Sequence, residues 1–139
     1  MPATNEDRSV NRSSDFSRLE RLKPSLLVGV VGPCGSGKST LIQILEGYGY
    51  ACRHIAQEHS YVKDMWKRIT NPDALIFLQA SFPVCTVRRQ LNWLEADWAE
   101  QQRRLAHALE HADLAVDTDE LTPQEVARRV LEFLGKHAP

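Results

Sequence analysis

Ser25-Leu26-Leu27-Val28-Gly29-Val30-Val31-Gly32-Pro33-Cys34-Gly35-Ser36-Gly37-Lys38-Ser39 decides how this chain folds. Its first half, Leu26 to Val31, is an unbroken aliphatic and β-branched run, the pattern of a strand buried on both faces. Its second half, Gly32 to Ser39, is G-x-x-x-x-G-K-S, a loop whose glycines let successive N–H groups from Gly35 to Thr40 turn inward around an anion. Lys38 to Glu46 follows with Leu41, Ile42, Ile44 and Leu45 at helical spacing, and Gly47-Tyr48-Gly49 supplies a stop. A helix starting there aims the positive end of its dipole at the same anion. The four fixed positions of the motif arise by chance in well under about 1% of chains this long.

Working outward, Tyr50 to Gln57 is expected as a weaker strand interrupted by Arg53 and His54. Ser60 is expected to cap a helix from Tyr61 to about Ile69, with Asp64 and Arg68 paired four apart and Asn71-Pro72 ending it. Ala74 to Ala80 reads as a second buried strand, and Pro83 opens a helix to about Trp93. Glu95 to His111 carries Trp98, Leu105, Ala108 and Leu109 on one stripe of a longer helix. Asp113 to Thr118 is a short last strand. Thr122-Pro123-Gln124-Glu125 then forms a capping box for a terminal helix whose stripe is Val126, Val130, Leu131 and Leu134. Alternating strands and helices predict an α/β three-layer sandwich: a parallel sheet of about four strands with helices on both faces and right-handed crossovers.

Composition bounds the function. At 139 residues the chain fits one domain, read as a flexible polar tail over 1–24 and a folded domain over 25–139. Seventeen Lys+Arg against eighteen Asp+Glu give a net charge of −1, which argues against nucleic acid held by bulk positive charge. No apolar run approaches the roughly 18 residues that span a bilayer, and Met1 to Ser25 is polar, so no membrane is expected and the reading places the chain in the cytoplasm. Cys34, Cys52 and Cys85 lack metal-ribbon spacing and read as free thiols.

In the chemistry the loop implies, a nucleoside triphosphate binds, Lys38 reaches its β- and γ-phosphates and the Ser39 hydroxyl ligates Mg²⁺. With Ala112 to Asp119 and the middle strand Ala74 to Leu78, the sequence resembles the small P-loop kinases, the group containing nucleoside monophosphate, shikimate and dephospho-coenzyme A kinases. The resemblance covers roughly Leu26 to Leu134, and only the loop is highly specific. It implies a P-loop NTPase fold and transfer of the γ-phosphoryl of ATP to a small polar acceptor. The phosphates would lie on Gly32, Gly35, Ser36, Gly37, Lys38, Ser39 and Thr40, under lid arginines among Arg88, Arg89, Arg103 and Arg104. The loop Thr118 to Leu121, with Thr118 and Asp119, would flank the adenine. Gly47 to Asp73 is too short for both the group's acceptor-binding segment and its extra acidic strand, so a nucleotide-binding regulatory module and a weak NTPase stay open.

Glu58, just past the weaker strand, is the acid nearest the loop in that reading. It would face the Mg²⁺ and orient the attacking hydroxyl or water, against the alternative of a solvated acid at a helix start. Arg88 and Arg89 can clamp phosphate or only decorate a helix; Asp117 can hold metal or ribose, or form a turn. His107 and His111 read as a solvated helix face, Trp66, Trp93 and Trp98 as packing residues, and Cys34 as a small side chain open to alkylation.

Overall fold

The computed structural model describes residues 26–137; the expected tail over 1–24 lies outside them. Four strands form one wholly parallel sheet in the order β2-β1-β3-β4: β1 (Leu27–Val31), β2 (Ala51–His54), β3 (Ala74–Gln79) and β4 (Leu114–Asp117). The helices are α1 (Lys38–Gly47), α2 (Phe82–Arg89), α3 (Glu95–His111) and α4 (Pro123–His137). A parallel sheet needs a crossover between neighbouring strands, and helices supply most of that length here.

Two cores follow from the pleat, because successive strand side chains point to opposite faces. Val28, Val30, Ile76, Leu78 and Val116 meet Leu41 and Leu45 of α1 and Val126, Val130 and Leu134 of α4. Val31, Leu75 and Phe77 meet Ile55, Trp66 and the Leu105–Ala108 stripe of α3. Removing each such side chain from water contributes about 1.5–3 kcal/mol, so both faces favour the same register. No helix among the described residues is long and apolar enough to cross a membrane.

Three expected elements differ. β2 stops at His54: the Ile55 N–H donates to Val30 O at 3.0 Å, and the chain then dives into a 3₁₀ turn at Gln57–His59 that buries Gln57 and Glu58. The helix expected over 61–69 is reduced to one π turn at Trp66–Thr70. Buried Gln57 takes over that segment's backbone groups, accepting from Trp66 N–H at 2.8 Å and donating to Val62 O at 2.8 Å. The expected Asp64–Arg68 pair is formed, at 2.9 Å. Finally, α2 ends at Arg89 rather than near Trp93, because Gln90 takes a left-handed turn at φ 52°. The chain then folds back, and the Trp93 indole N–H donates to Thr86 Oγ1 at 2.6 Å.

The capping box at the start of α4 is formed: Thr122 N–H donates to Glu125 Oε1 at 2.8 Å, and Glu125 N–H donates to Thr122 Oγ1 at 3.1 Å. The Thr122 backbone donor, followed by its hydroxyl, holds the Glu125 carboxyl below the usual carboxylate range. A depressed folded-state pKa stabilises above the unfolded value and is lost as pH falls through the folded one. Separately, Thr122→Ala removes the N-cap hydroxyl and is expected to cost about 1 kcal/mol. Glu125→Gln is expected to melt below the parent at pH 7, with the gap closing in acid below the ordinary carboxylate pKa of about 4.3. Melting curves across that range check it; a gap independent of pH would remove the charge from the account.

Candidate functional site: a cationic cavity at the glycine-rich loop

The loop between β1 and α1 leaves the sheet at Gly32 and re-enters regular structure at Lys38. Gly32, Gly35 and Gly37 all take positive φ, at 155°, 87° and 103°. Gly37 is the N-cap of α1, so no side chain caps that helix, and its first turn holds no acid. The exposed dipole end faces a cavity of about 300 Å³ whose wall includes Gly35 to Leu41, His54, Arg88, Arg89 and Thr118. Ser36 Oγ is buried beside it without a hydrogen-bond partner among the described residues.

Lys38 is 5% exposed, and its ammonium lies within the loop. It donates to Gly32 O at 2.6 Å, Pro33 O at 3.1 Å and Glu58 Oε2 at 2.9 Å. Glu58 is therefore a buried partner of the lysine, 2% exposed, which overturns its reading as a solvated acid. The adjacency of β2 to β1 puts it there, since the 3₁₀ turn follows directly from that edge strand. Glu58 does not line the cavity, and its second oxygen, Oε1, is buried with no partner among the described residues.

The remaining expected residues divide. Ser39, Thr40, Thr118 and both Arg88 and Arg89 line the cavity. Arg88 ties α2 to the loop and to the β4–α4 connection, donating to Gly35 O at 3.3 Å, to Thr118 Oγ1 at 2.9 Å and to Thr118 O. Arg89 has no hydrogen-bond or ion-pair partner among the described residues, which leaves it the free cation of the wall. Thr118 is buried and donates to Ser36 O at 3.1 Å, clamping the loop from below the sheet edge. Asp119 is not in the wall: its Oδ1 accepts from Ser81 N–H at 2.9 Å at the start of α2, while Asp117 accepts from Asp119 N–H at 3.0 Å in a turn. Arg103 and Arg104 pair with Glu100 instead of reaching the cavity. Arg104 also stacks on Tyr61, 4.3 Å from the ring centre.

Sequence reading missed three contributors. His54 lines the cavity; partial burial of its ring, then the Lys38 ammonium, hold its pKa below the usual histidine range. Gln101, buried on α3, accepts from Cys34 N–H at 3.0 Å and fixes the loop's outer corner. Its one sequence signal is position, four residues before Leu105 on the buried stripe. Gln57 carries no such signal. His107 is not merely solvated: its Nδ1 accepts from the Trp66 indole at 3.1 Å. The three tryptophans pack as expected, Trp98 donating to Ala80 O at 3.1 Å.

The fold and site thus define an α/β protein with a parallel four-stranded sheet and a cationic cavity at the carboxyl end of its second-position strand. Neither the protein-family models nor the curated proteins contain a match to this chain.

Proposed function

We propose that this chain is a protein of the P-loop NTPase fold that binds ATP with Mg²⁺ and transfers the γ-phosphoryl group to a small polar acceptor. One observation carries the reading: an uncapped, acid-free helix N-terminus and three cationic residues, Lys38, Arg88 and Arg89, border one cavity. Backbone donors at a helix start and fixed cations are the arrangement that favours a polyphosphate over a neutral ligand. The unpartnered Ser36 hydroxyl and the exposed Ser39 hydroxyl fit the oxygen-rich surroundings of a phosphate and a hard cation.

In this reading the N–H groups of Gly35 to Thr40 hold the phosphate oxygens, and Lys38 leaves its carbonyl partners to neutralise charge that grows during transfer. Ser39 would hold the Mg²⁺, which would supply charge neutralisation and orient the phosphates, whereas Glu58, expected from the sequence as a second ligand, lies outside the cavity wall and positions the Lys38 ammonium instead. Arg89, free in the wall, closes over the terminal phosphate, while Arg88 keeps α2 against the loop. Thr118 and Leu121 flank the base.

A second reading has water as acceptor, or no transfer at all. It is favoured by the segment between β2 and β3, which contains only a 3₁₀ turn and one π turn rather than a helical acceptor-binding unit. One experiment separates these. Calorimetry of the full chain with ATP or GTP and Mg²⁺ is paired with product analysis using γ-labelled ATP and a panel of nucleosides, nucleotides and small alcohols. A labelled acceptor supports the kinase, labelled phosphate without acceptor supports the NTPase, and heat without product supports a binding module. No heat at millimolar nucleotide overturns all three.

A further inference from the structure

We propose that Cys34, Glu58 and His59 form a Zn²⁺ site beside the glycine-rich loop. Cys34 Sγ lies 3.6 Å from His59 Nε2 and 4.0 Å from Glu58 Oε2, and His59 Nε2 lies 3.8 Å from that same oxygen. Zn–S bonds of about 2.3 Å and Zn–N or Zn–O bonds of about 2.0 Å in a tetrahedron put ligand atoms about 3.3–3.5 Å apart. Cys34 and His59 are therefore almost at that spacing, and Glu58 Oε2 is about half an ångström too far from each, before any ion enters. His59 has a side chain 59% exposed, so its ring is free to close the remaining gap, and it gives the ion a route from solvent.

A second, independent feature points to a ligand: Glu58 is buried, yet its Oε1 has no partner. The ion would bind Oε2, the oxygen that faces Cys34 and His59 and also accepts from Lys38, while the unused Oε1 leaves that carboxylate with acceptor capacity to spare. Gln101 completes the surroundings, donating from its amide to Cys34 Sγ at 3.4 Å, the kind of outer contact that orients a metal-bound sulfur. A thiolate, an imidazole and a carboxylate suit Zn²⁺ and not Mg²⁺ or Ca²⁺, which take oxygen ligands. Three protein ligands leave a fourth position for water. On coordination the Cys34 S–H bond breaks, the Sγ–Zn bond forms and the proton passes to solvent, so affinity rises with pH.

The proposal does not rest on nucleotide binding and is tested without it. The reduced, metal-stripped full chain is titrated with Co²⁺, and the near-ultraviolet thiolate-to-Co²⁺ absorption is followed. One Co²⁺ per chain is expected, displaced by Zn²⁺ and not by excess Mg²⁺. Loss of a ligand is expected to weaken binding at least as much as loss of an outer contact, so His59→Ala, at an exposed position, should lower Co²⁺ affinity more than about tenfold with an unchanged melting temperature. Cys34→Ser should abolish the absorption. Zn²⁺ should also slow alkylation of Cys34, which reports alone because burial pushes the Cys52 and Cys85 thiols up to about 11. Absence of the thiolate band, equal affinity in His59→Ala, or an alkylation rate indifferent to Zn²⁺ would each overturn the site.

Discussion

Lys38→Met is expected to unfold about 3 kcal/mol more easily than the parent in urea and to give no calorimetric signal with ATP and Mg²⁺. The physical reason for the first effect is the burial of the ammonium and its three acceptors, Gly32 O, Pro33 O and Glu58 Oε2. Methionine keeps the stem but removes every donor, leaving a buried carboxylate whose Oε2 keeps only the long contacts to Cys34 and His59. Breaking a buried pair from one side costs about 3–5 kcal/mol, mostly through the stranded charge. Neutralising that charge reverses the argument. Adding Glu58→Gln to Lys38→Met should therefore recover stability, with a coupling of at least about 1 kcal/mol in the double-mutant cycle, while nucleotide binding stays lost. Additive effects of the two changes would show that the pair contributes nothing jointly. Stability recovered together with nucleotide binding would remove Lys38 from the phosphate site.

Gly32→Ala is expected to be the most damaging single methyl in the chain, at about 3–5 kcal/mol. A Cβ at Gly32 would stand 2.2 Å from Leu78 O and 2.7 Å from Ser36 Oγ. The first neighbour is backbone near the end of β3, in the middle of the sheet, where Leu78 pairs with Val116, so it has nowhere to move without disturbing the β3–β4 ladder. Overpacking of that kind adds to the penalty for a side chain at positive φ. Gly37→Ala is the matched control: φ is 103°, but nothing lies within 4 Å of the added carbon. It should lose only the conformational part, about 1–2 kcal/mol. Urea unfolding of both proteins checks the contrast, and equal losses would mean that the β3 carbonyl yields easily.

Local pattern made much of the frame legible before any coordinates. β1, α1, β3 and β4 begin or end within a residue or two of their expected limits, and α3 spans Glu95–His111 as expected. These segments combine a strong hydrophobic period with clear punctuation, so tertiary contacts only reinforce them. The misread stretch, 55–70, has punctuation at Ser60 and Asn71-Pro72 but no sustained hydrophobic period. Its conformation depends on Gln57, a polar residue whose buried amide replaces the hydrogen bonds that a helix would have made. No periodicity encodes that substitution, because its partners, among them Arg104 O at 3.3 Å, come from a distant helix.

The candidate site divides along the same line. A contiguous run of glycines, a lysine and hydroxyls determines that backbone donors and one ammonium gather at the end of β1, since every group involved is within eight residues of the others. Which further side chains join them was decided by the sheet. Placing β2 beside β1 carries Glu58 beneath Lys38 and His59 beside Cys34. Placing β4 beyond β3 brings Thr118 under the loop, where Arg88 meets it, and turns Asp119 toward Ser81. Strand order is a competition between whole hydrophobic faces, and no single residue's spacing records its outcome.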